Sequence, residues 1–249
     1  MSRIFAGRAR NLMSMKQTFS FVVNGLDVRA EFDERDRDRV FLPLLRRLTA
    51  LRRERGRRIA AFLAAPPAAG KSTLCRYLEE LSRSDPELIP VQAVGIDGFH
   101  YPQAYLEAHG LAAIKGAPQT YDVAKLKSLL ERLNEPGQRW PVYDRRIHDP
   151  IDAAVEIAAD IVIVEGNWLL LDQPPWSGLR CDYSIFLRAG ERSQLERIVW
   201  RKMQGGYSEA MARAFVERND WPNIQYCMEH SRRGDLNLGR APDGTWEEI

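Results

Sequence analysis

A chain of 249 residues with 45% hydrophobic content can bury a core of its own, and its length suits one sizeable domain with an appendage. A formal net charge of +2 gives no reason to expect a polyanionic partner such as DNA, although arginine outnumbers lysine by thirty to six. Cys75, Cys181 and Cys227 are odd in number, widely spaced and lack any C-x-x-C spacing, which indicates neither a disulfide framework nor a zinc site, and no apolar run reaches the ~20 residues that would span a bilayer.

These features fit a reduced, cytoplasmic protein with no membrane and no nucleic-acid partner. Residues 1–15 read as a flexible tail. The segment Met1 to Ser14 carries Arg3, Arg8 and Arg10 and no acid, so a short targeting peptide, or a true start at Met13 or Met15, is an alternative. From Thr18 to Phe32 apolar residues alternate around Asn24-Gly25, the signature of a hairpin with a tight turn. Asp36 to Glu54 places Val40, Leu44, Leu45, Leu48 and Leu51 on one helical face, with Pro43 expected to distort or delay the start. Arginines between Arg46 and Arg58 recur on the outward side of that helix, as a solvated face would have them. Residues 16–57 are therefore read as a hairpin and helix appendage, and 58–249 as the main domain.

The main domain opens with Ile59 to Ala64, an unbroken apolar run of buried-strand length. A loop of small residues and a helix from Lys71 to about Leu81 follow. Further strand-like runs, Val91 to Ile96, Ile161 to Val164 and Tyr183 to Leu187, are separated by helical patterns at Val123 to Leu133 and Ser193 to Met203. Strands alternating with helices imply parallel pairing through right-handed crossovers, hence a three-layer α/β fold with a central, mainly parallel sheet.

Between the first such strand and its helix lies Ala65-Pro66-Pro67-Ala68-Ala69-Gly70-Lys71-Ser72-Thr73. A triphosphate needs converging main-chain N–H groups, the positive end of a helix, a lysine across the β- and γ-phosphates and a hydroxyl for Mg²⁺. Pro67, Ala68, Ala69, Gly70, Lys71, Ser72 and Thr73 are the expected phosphate cradle. The pattern customarily opens with glycine, and Ala65 can replace it only where positive φ is not required. In parallel sheets ligands bind beyond the carboxyl ends of the strands, and two acids stand there, Asp97 and Glu165. Asp97 is expected to orient an attacking hydroxyl and accept its proton, and Glu165, with Ser72, to serve the metal. Read singly, Asp97 fits a turn and Glu165 an ion pair; two acids at strand ends beside a phosphate loop favour the catalytic reading.

Together these elements resemble the P-loop kinase superfamily that contains uridine kinase, phosphoribulokinase and bacterial pantothenate kinase, from about Arg58 to the C-terminus. Asp97-Gly98-Phe99 is similar to the Asp-x-Phe catalytic segment, which implies substrate contact at Phe99. Gly116 to Asp122 is similar to a substrate-side segment in which Gln119 replaces a customary acid. Pro141 to His148 resembles uridine kinase, placing Tyr143 and His148 where that family contacts a nucleoside. Each of those two, taken alone, fits a structural role as well. Arg145 stands where pantothenate kinase places a histidine. A guanidinium in a substrate pocket calls for a carboxylate, a phosphate or a dense set of hydroxyls.

Glu165 to Leu171 most resembles pantothenate-kinase-like bacterial proteins labelled as associated with fructose transport. A family lid after the fourth main strand implies phosphate-directed roles for Arg197 and Arg201, which share a helix face. A solvated face is the alternative. The resemblance implies an ATP- and Mg²⁺-dependent kinase acting on a small-molecule hydroxyl (a nucleoside, a sugar or a pantothenate-like metabolite), with a homodimer left open. A nucleotide-hydrolysing switch is the first competing class, and a nucleic-acid-directed enzyme, motivated by the stretch Arg46 to Arg58, is the second.

Overall fold

The computed structural model describes residues 15–23 and 25–249, so the tail before Met15 and the turn residue Asn24 lie outside it. Strands β1 (Lys16–Val23) and β2 (Leu26–Asp33) pair antiparallel with Val23 opposite Leu26, and Gly25 at φ 79° takes the left-handed conformation a tight turn requires. Phe32 stacks on Tyr77 at 3.7 Å between ring centroids, and Phe19 meets the same ring edge-on. The hairpin therefore braces the helix that follows the Lys71 loop.

Helical structure begins at Glu34, widens into a π-type turn at Arg37–Phe41 and continues as Leu42–Arg55. Pro43 has no N–H to close an ordinary turn, and the wide turn before it absorbs that loss. Gly56 ends the helix in the left-handed conformation, its N–H returning to the Arg52 carbonyl at 3.1 Å.

The main sheet runs in the order β10 (Trp246–Glu248), β9 (Leu236–Arg240), β8 (Tyr183–Leu187), β3 (Ile59–Ala64), β7 (Ile161–Gly166) and β4 (Val91–Gly95). All neighbours are parallel except β10, which closes the edge antiparallel to β9. Strand β3 is buried along its whole length, and its alternating residues divide between two cores. Ile59, Ala61 and Leu63 face helices Leu42–Arg55 and Lys71–Ser84, while Ala60, Phe62 and Ala64 face Leu126, Trp140 and Trp168. This is the expected three-layer α/β arrangement. The chain leaves β3 where its neighbours come from opposite sides of the connection order, the crevice at which such sheets hold ligands. Among the described residues no helix is long and apolar enough to cross a membrane.

A second two-stranded sheet, β5 (Arg139–Asp144) with β6 (Asp149–Glu156), has no counterpart in the sequence reading. It packs over the 3₁₀ turn Ile96–Phe99, with Trp140 Nε1 donating to the Gly95 carbonyl at 2.9 Å and Phe99 edge-on to Trp140. Contact is so close that a Cβ on Gly98 would lie 2.4 Å from the carbonyl carbon and oxygen of Pro141. Gly98→Ala is therefore expected to force the hairpin outward, to cost about 1–3 kcal/mol and to lower the calorimetric melting temperature by several degrees. An unchanged melting temperature would show that the hairpin yields without strain.

Candidate active site

The loop after β3 takes its shape from small residues. Ala65 is fully buried and is not among the positive-φ residues, so alanine meets the condition for standing where glycine is customary. The left-handed positions are Ala68, at φ 58°, and Gly70, at φ 96°. Glycine adopts such an angle freely, whereas alanine pays about 1–2 kcal/mol. Ala68 is held there by the helix Glu191–Gln204: Gln194 Nε2 donates to the Pro67 carbonyl at 2.9 Å, and an Arg197 Nη donates to the Ala68 carbonyl at 3.2 Å. Gly70 brings no capping side chain to the helix Lys71–Ser84, so the first-turn N–H groups at 71–73 form an anion-binding end.

Lys71 turns inward and is 8% exposed. Its ammonium donates to the carbonyls of Ala65 and Pro66, each at 3.1 Å, and to Asn167 Oδ1 at 2.6 Å. Burial pushes its pKa below the usual lysine range, and the nearby Glu165 charge opposes that shift. Glu165 is the penultimate residue of β7, beside Leu63 of β3 and Gly95 of β4, and accepts from the Ser72 hydroxyl at 2.7 Å. Its carboxyl is pushed up by burial, against the Lys71 charge and the Ser72 hydrogen bond. Lysine, hydroxyl and carboxylate thus meet at the crevice.

Asp97 stands in the turn beyond β4 with its carboxylate about half exposed, 3.5 Å from the Arg145 guanidinium at the tip between β5 and β6. The fold role of Asp97 lies in its main chain: its carbonyl accepts from the His100 N–H at 3.2 Å and from the ring Nδ1 at 2.8 Å. Burial lowers the His100 pKa, which favours the neutral ring with its proton on Nδ1. Arg201 lies on the same electrostatic surface. It keeps solvent contact, yet burial first and the Arg145 charge second push its pKa down, while Asp220 and Asp97 oppose.

Other expected contacts fall differently. Phe99 is 1% exposed and packs on Trp140 in the core, with no face toward the crevice entrance. Gln119 is exposed on the turn Pro118–Thr120, whose chain runs beside 99–101 through Tyr101 N–H to the Thr120 carbonyl and Asp122 N–H to the Phe99 carbonyl. The Tyr143 hydroxyl donates to the His148 carbonyl at 2.7 Å, and Lys115 Nζ donates to that carbonyl at 2.9 Å, so these groups shape the hairpin tip, with His148 at φ 56°. Asn167, Gln194 and Lys115 were not assigned from sequence. Asn167 follows the strand-end acid and was open to such a reading, while Gln194 and Lys115 carry no local signal. A separate groove of about 740 Å³ lies between helix Leu42–Arg55 and strands β9 and β10, and the Lys71 loop does not line it.

No family model matches the chain. Individual relatives do. It is 43% identical over 227 residues to the uncharacterised protein YggC of Escherichia coli K12, an alignment covering 90% of this chain and 96% of that protein. It is 34% identical over 241 residues to pantothenate kinase of Shewanella amazonensis, covering 84% and 72% respectively. Among solved structures, a protein of Silicibacter sp. TM1040, provisionally named a fructose transport system kinase, superposes with a TM-score of 0.70 at 31% identity over 76% of this chain and 98% of its own. Relatives at this level of identity and coverage make the protein a member of the P-loop kinase superfamily of pantothenate and uridine kinases.

Proposed function

We propose that this kinase transfers the γ-phosphoryl group of ATP to a hydroxyl of a small molecule, with Asp97 as the general base. The observation that carries the reading is the meeting of Lys71, Ser72 and Glu165 at the end of β3 and β7, with Asp97 on the neighbouring strand end. Ser72 and Glu165 offer a hydroxyl and a carboxylate, hard oxygen donors that suit Mg²⁺ when substrate phosphates and water complete its shell. Among the described residues no cluster of three or more metal-ligating side chains forms an all-protein cage, which matches that mode of binding. When bound, the ion would neutralise charge developing on the phosphates.

The chain's own residues supply the remaining steps. First-turn amides at 71–73 and the Lys71 ammonium hold the triphosphate tail. Asp97, open to solvent beside Arg145, takes the proton of the incoming hydroxyl. Arg197 and Arg201 lie four apart on the lid helix and balance charge on the phosphoryl group in flight, while the helix covers the loop through Gln194 and keeps water out. In this proposal residues 58–249 form the kinase domain and residues 16–57 brace its first helix.

The acceptor meets the tip between β5 and β6, where Arg145 is an exposed cation 3.5 Å from the base. Arg145→Ala is expected to raise the KM of the true acceptor roughly ten- to a hundredfold, the weight of a hydrogen bond to a charged group, with a smaller effect on kcat. An unchanged KM would remove Arg145 from acceptor recognition. The decisive experiment measures ATP consumption against nucleosides, sugars, sugar acids and pantothenate, with and without Mg²⁺. Acceptor-dependent turnover supports the kinase reading. ATP turnover that ignores every acceptor would favour a hydrolytic switch.

A further inference from the structure

Burying an ammonium group requires an acceptor for every N–H, and Lys71 has three N–H groups for three protein acceptors. Two are carbonyls of the loop itself. The third and shortest contact, Asn167 Oδ1 at 2.6 Å, comes from a different element, two residues beyond Glu165 on the segment leaving β7. In this arrangement no N–H of Lys71 remains for a phosphate oxygen. Any triphosphate that engages Lys71 must first displace at least one of the three.

Asn167 is itself anchored from behind. Its main-chain carbonyl accepts from Cys227 Sγ at 3.1 Å, and Cys227 is fully buried on the helix Trp221–His230. The same helix packs Ile224 and Met228 against Ile198 and Val199 of the lid helix, in a cluster that also includes Ala68 of the phosphate loop. One residue thus links the loop lysine to the base of the lid.

Resting on the nucleotide-binding reading above, we propose that Asn167 is a positioning residue: its side-chain carbonyl holds Lys71 against the loop carbonyls and competes with the triphosphate for it. The hold keeps a buried charge satisfied, and nucleotide binding is paid for partly by its release. Losing this acceptor makes Lys71 more available, and a carboxylate in its place makes Lys71 less so. A merely structural asparagine would show neither response, since its loss would weaken nucleotide binding or leave it unchanged.

The test uses the full chain as parent, Asn167→Ala and Asn167→Asp, with two readouts. One is the calorimetric Kd for Mg·ATP. The other, independent of nucleotide, is the rate at which an amine-acylating reagent modifies Lys71, followed by peptide mass spectrometry. Asn167→Ala is expected to bind Mg·ATP about three- to tenfold more tightly, as removal of one competing hydrogen bond allows, and to expose Lys71 to acylation several times faster. Asn167→Asp is expected to bind at least about tenfold more weakly and to be acylated more slowly. Equal or weaker binding by Asn167→Ala overturns the proposal. Should that variant not fold, equal or tighter binding by Asn167→Asp overturns it. If the parent takes up no Mg·ATP, the nucleotide reading falls, and the hold on Lys71 is then judged by acylation alone: equal rates in parent and variants overturn it.

Discussion

Lys71→Ala is expected to raise the Kd for Mg·ATP at least about tenfold and to slow phosphoryl transfer by about a hundred- to a thousandfold or more, the scale seen when one preorganised charge-stabilising donor is removed. The argument starts from the burial of the ammonium. At 8% exposure, burial pushes the Lys71 pKa down, the Glu165 charge opposes that shift, and three acceptors take up the N–H groups. That arrangement stabilises the fold little, because the solvation lost by a buried cation offsets much of what its partners return. Truncation should therefore leave the melting temperature within a few degrees of the parent, while water enters to satisfy Asn167 and the loop carbonyls. Lys71→Arg should not restore activity: the acceptors surround a compact ammonium head, and a planar guanidinium fork cannot meet them in the same space. Calorimetry and a thermal melt on the same samples separate the two effects. A variant that binds Mg·ATP like the parent would sink the phosphate-cradle assignment, and one that melts far lower would make Lys71 chiefly a structural residue.

The sheet was legible where burial on both faces leaves an uninterrupted apolar run. Strand β8 falls on Tyr183–Leu187 as expected, and β3 on Ile59–Ala64. Boundaries were legible less well. The run ending at Ile96 gives up its last residue to a 3₁₀ turn, because Trp140 caps the Gly95 carbonyl from another element. The β5–β6 hairpin escaped notice for a similar reason. Arg139 to Asp144 contains Pro141 and no clean alternation, and its pairing depends on packing over Gly98, a contact more than forty residues away in sequence. Beyond Gly206 the helix Glu209–Phe215 also went unread, although Ser208 caps it through the Met211 N–H at 3.3 Å. Two π-type turns, Arg37–Phe41 and Val216–Asp220, share a local cause: each precedes a helix whose second residue is proline, Pro43 or Pro222.

In the candidate site, residues whose places follow from chain position were readable and those whose places follow from packing were not. Gly70, Lys71 and Ser72 sit at a strand-to-helix junction, and Glu165 at a strand end, so local pattern and parallel topology together were enough to bring them to one crevice. Phe99 shows the limit of such reasoning. It lies two residues from Asp97, yet the tight turn sends the carboxylate toward solvent and the ring into the core. Gln194 shows the converse: it is fully buried on a helix whose charged residues left a lid and a solvated face both open, and its bond to the Pro67 carbonyl appears only when the helix is folded over the loop.

Asp97→Asn is expected to lower kcat by about a hundred- to ten-thousandfold, the usual contribution of a positioned proton acceptor, while leaving nucleotide affinity and stability nearly unchanged. Three features of the site separate chemistry from fold here. The substitution preserves shape and removes only the capacity to take a proton. The hydrogen bonds that organise the turn run to the Asp97 carbonyl from His100, and a side-chain amide does not disturb them. The ion pair lost, to Arg145 at 3.5 Å with both side chains about half exposed, is of the surface kind that contributes at most about 1 kcal/mol. Steady-state kinetics with the acceptor identified by the substrate screen, together with Mg·ATP titration, provide the check. A variant with parental Kd and a collapsed kcat would place Asp97 at the proton-transfer step. Equal kcat would show that another group accepts the proton, and a large rise in Kd with kcat preserved would move Asp97 from the acceptor side to the nucleotide.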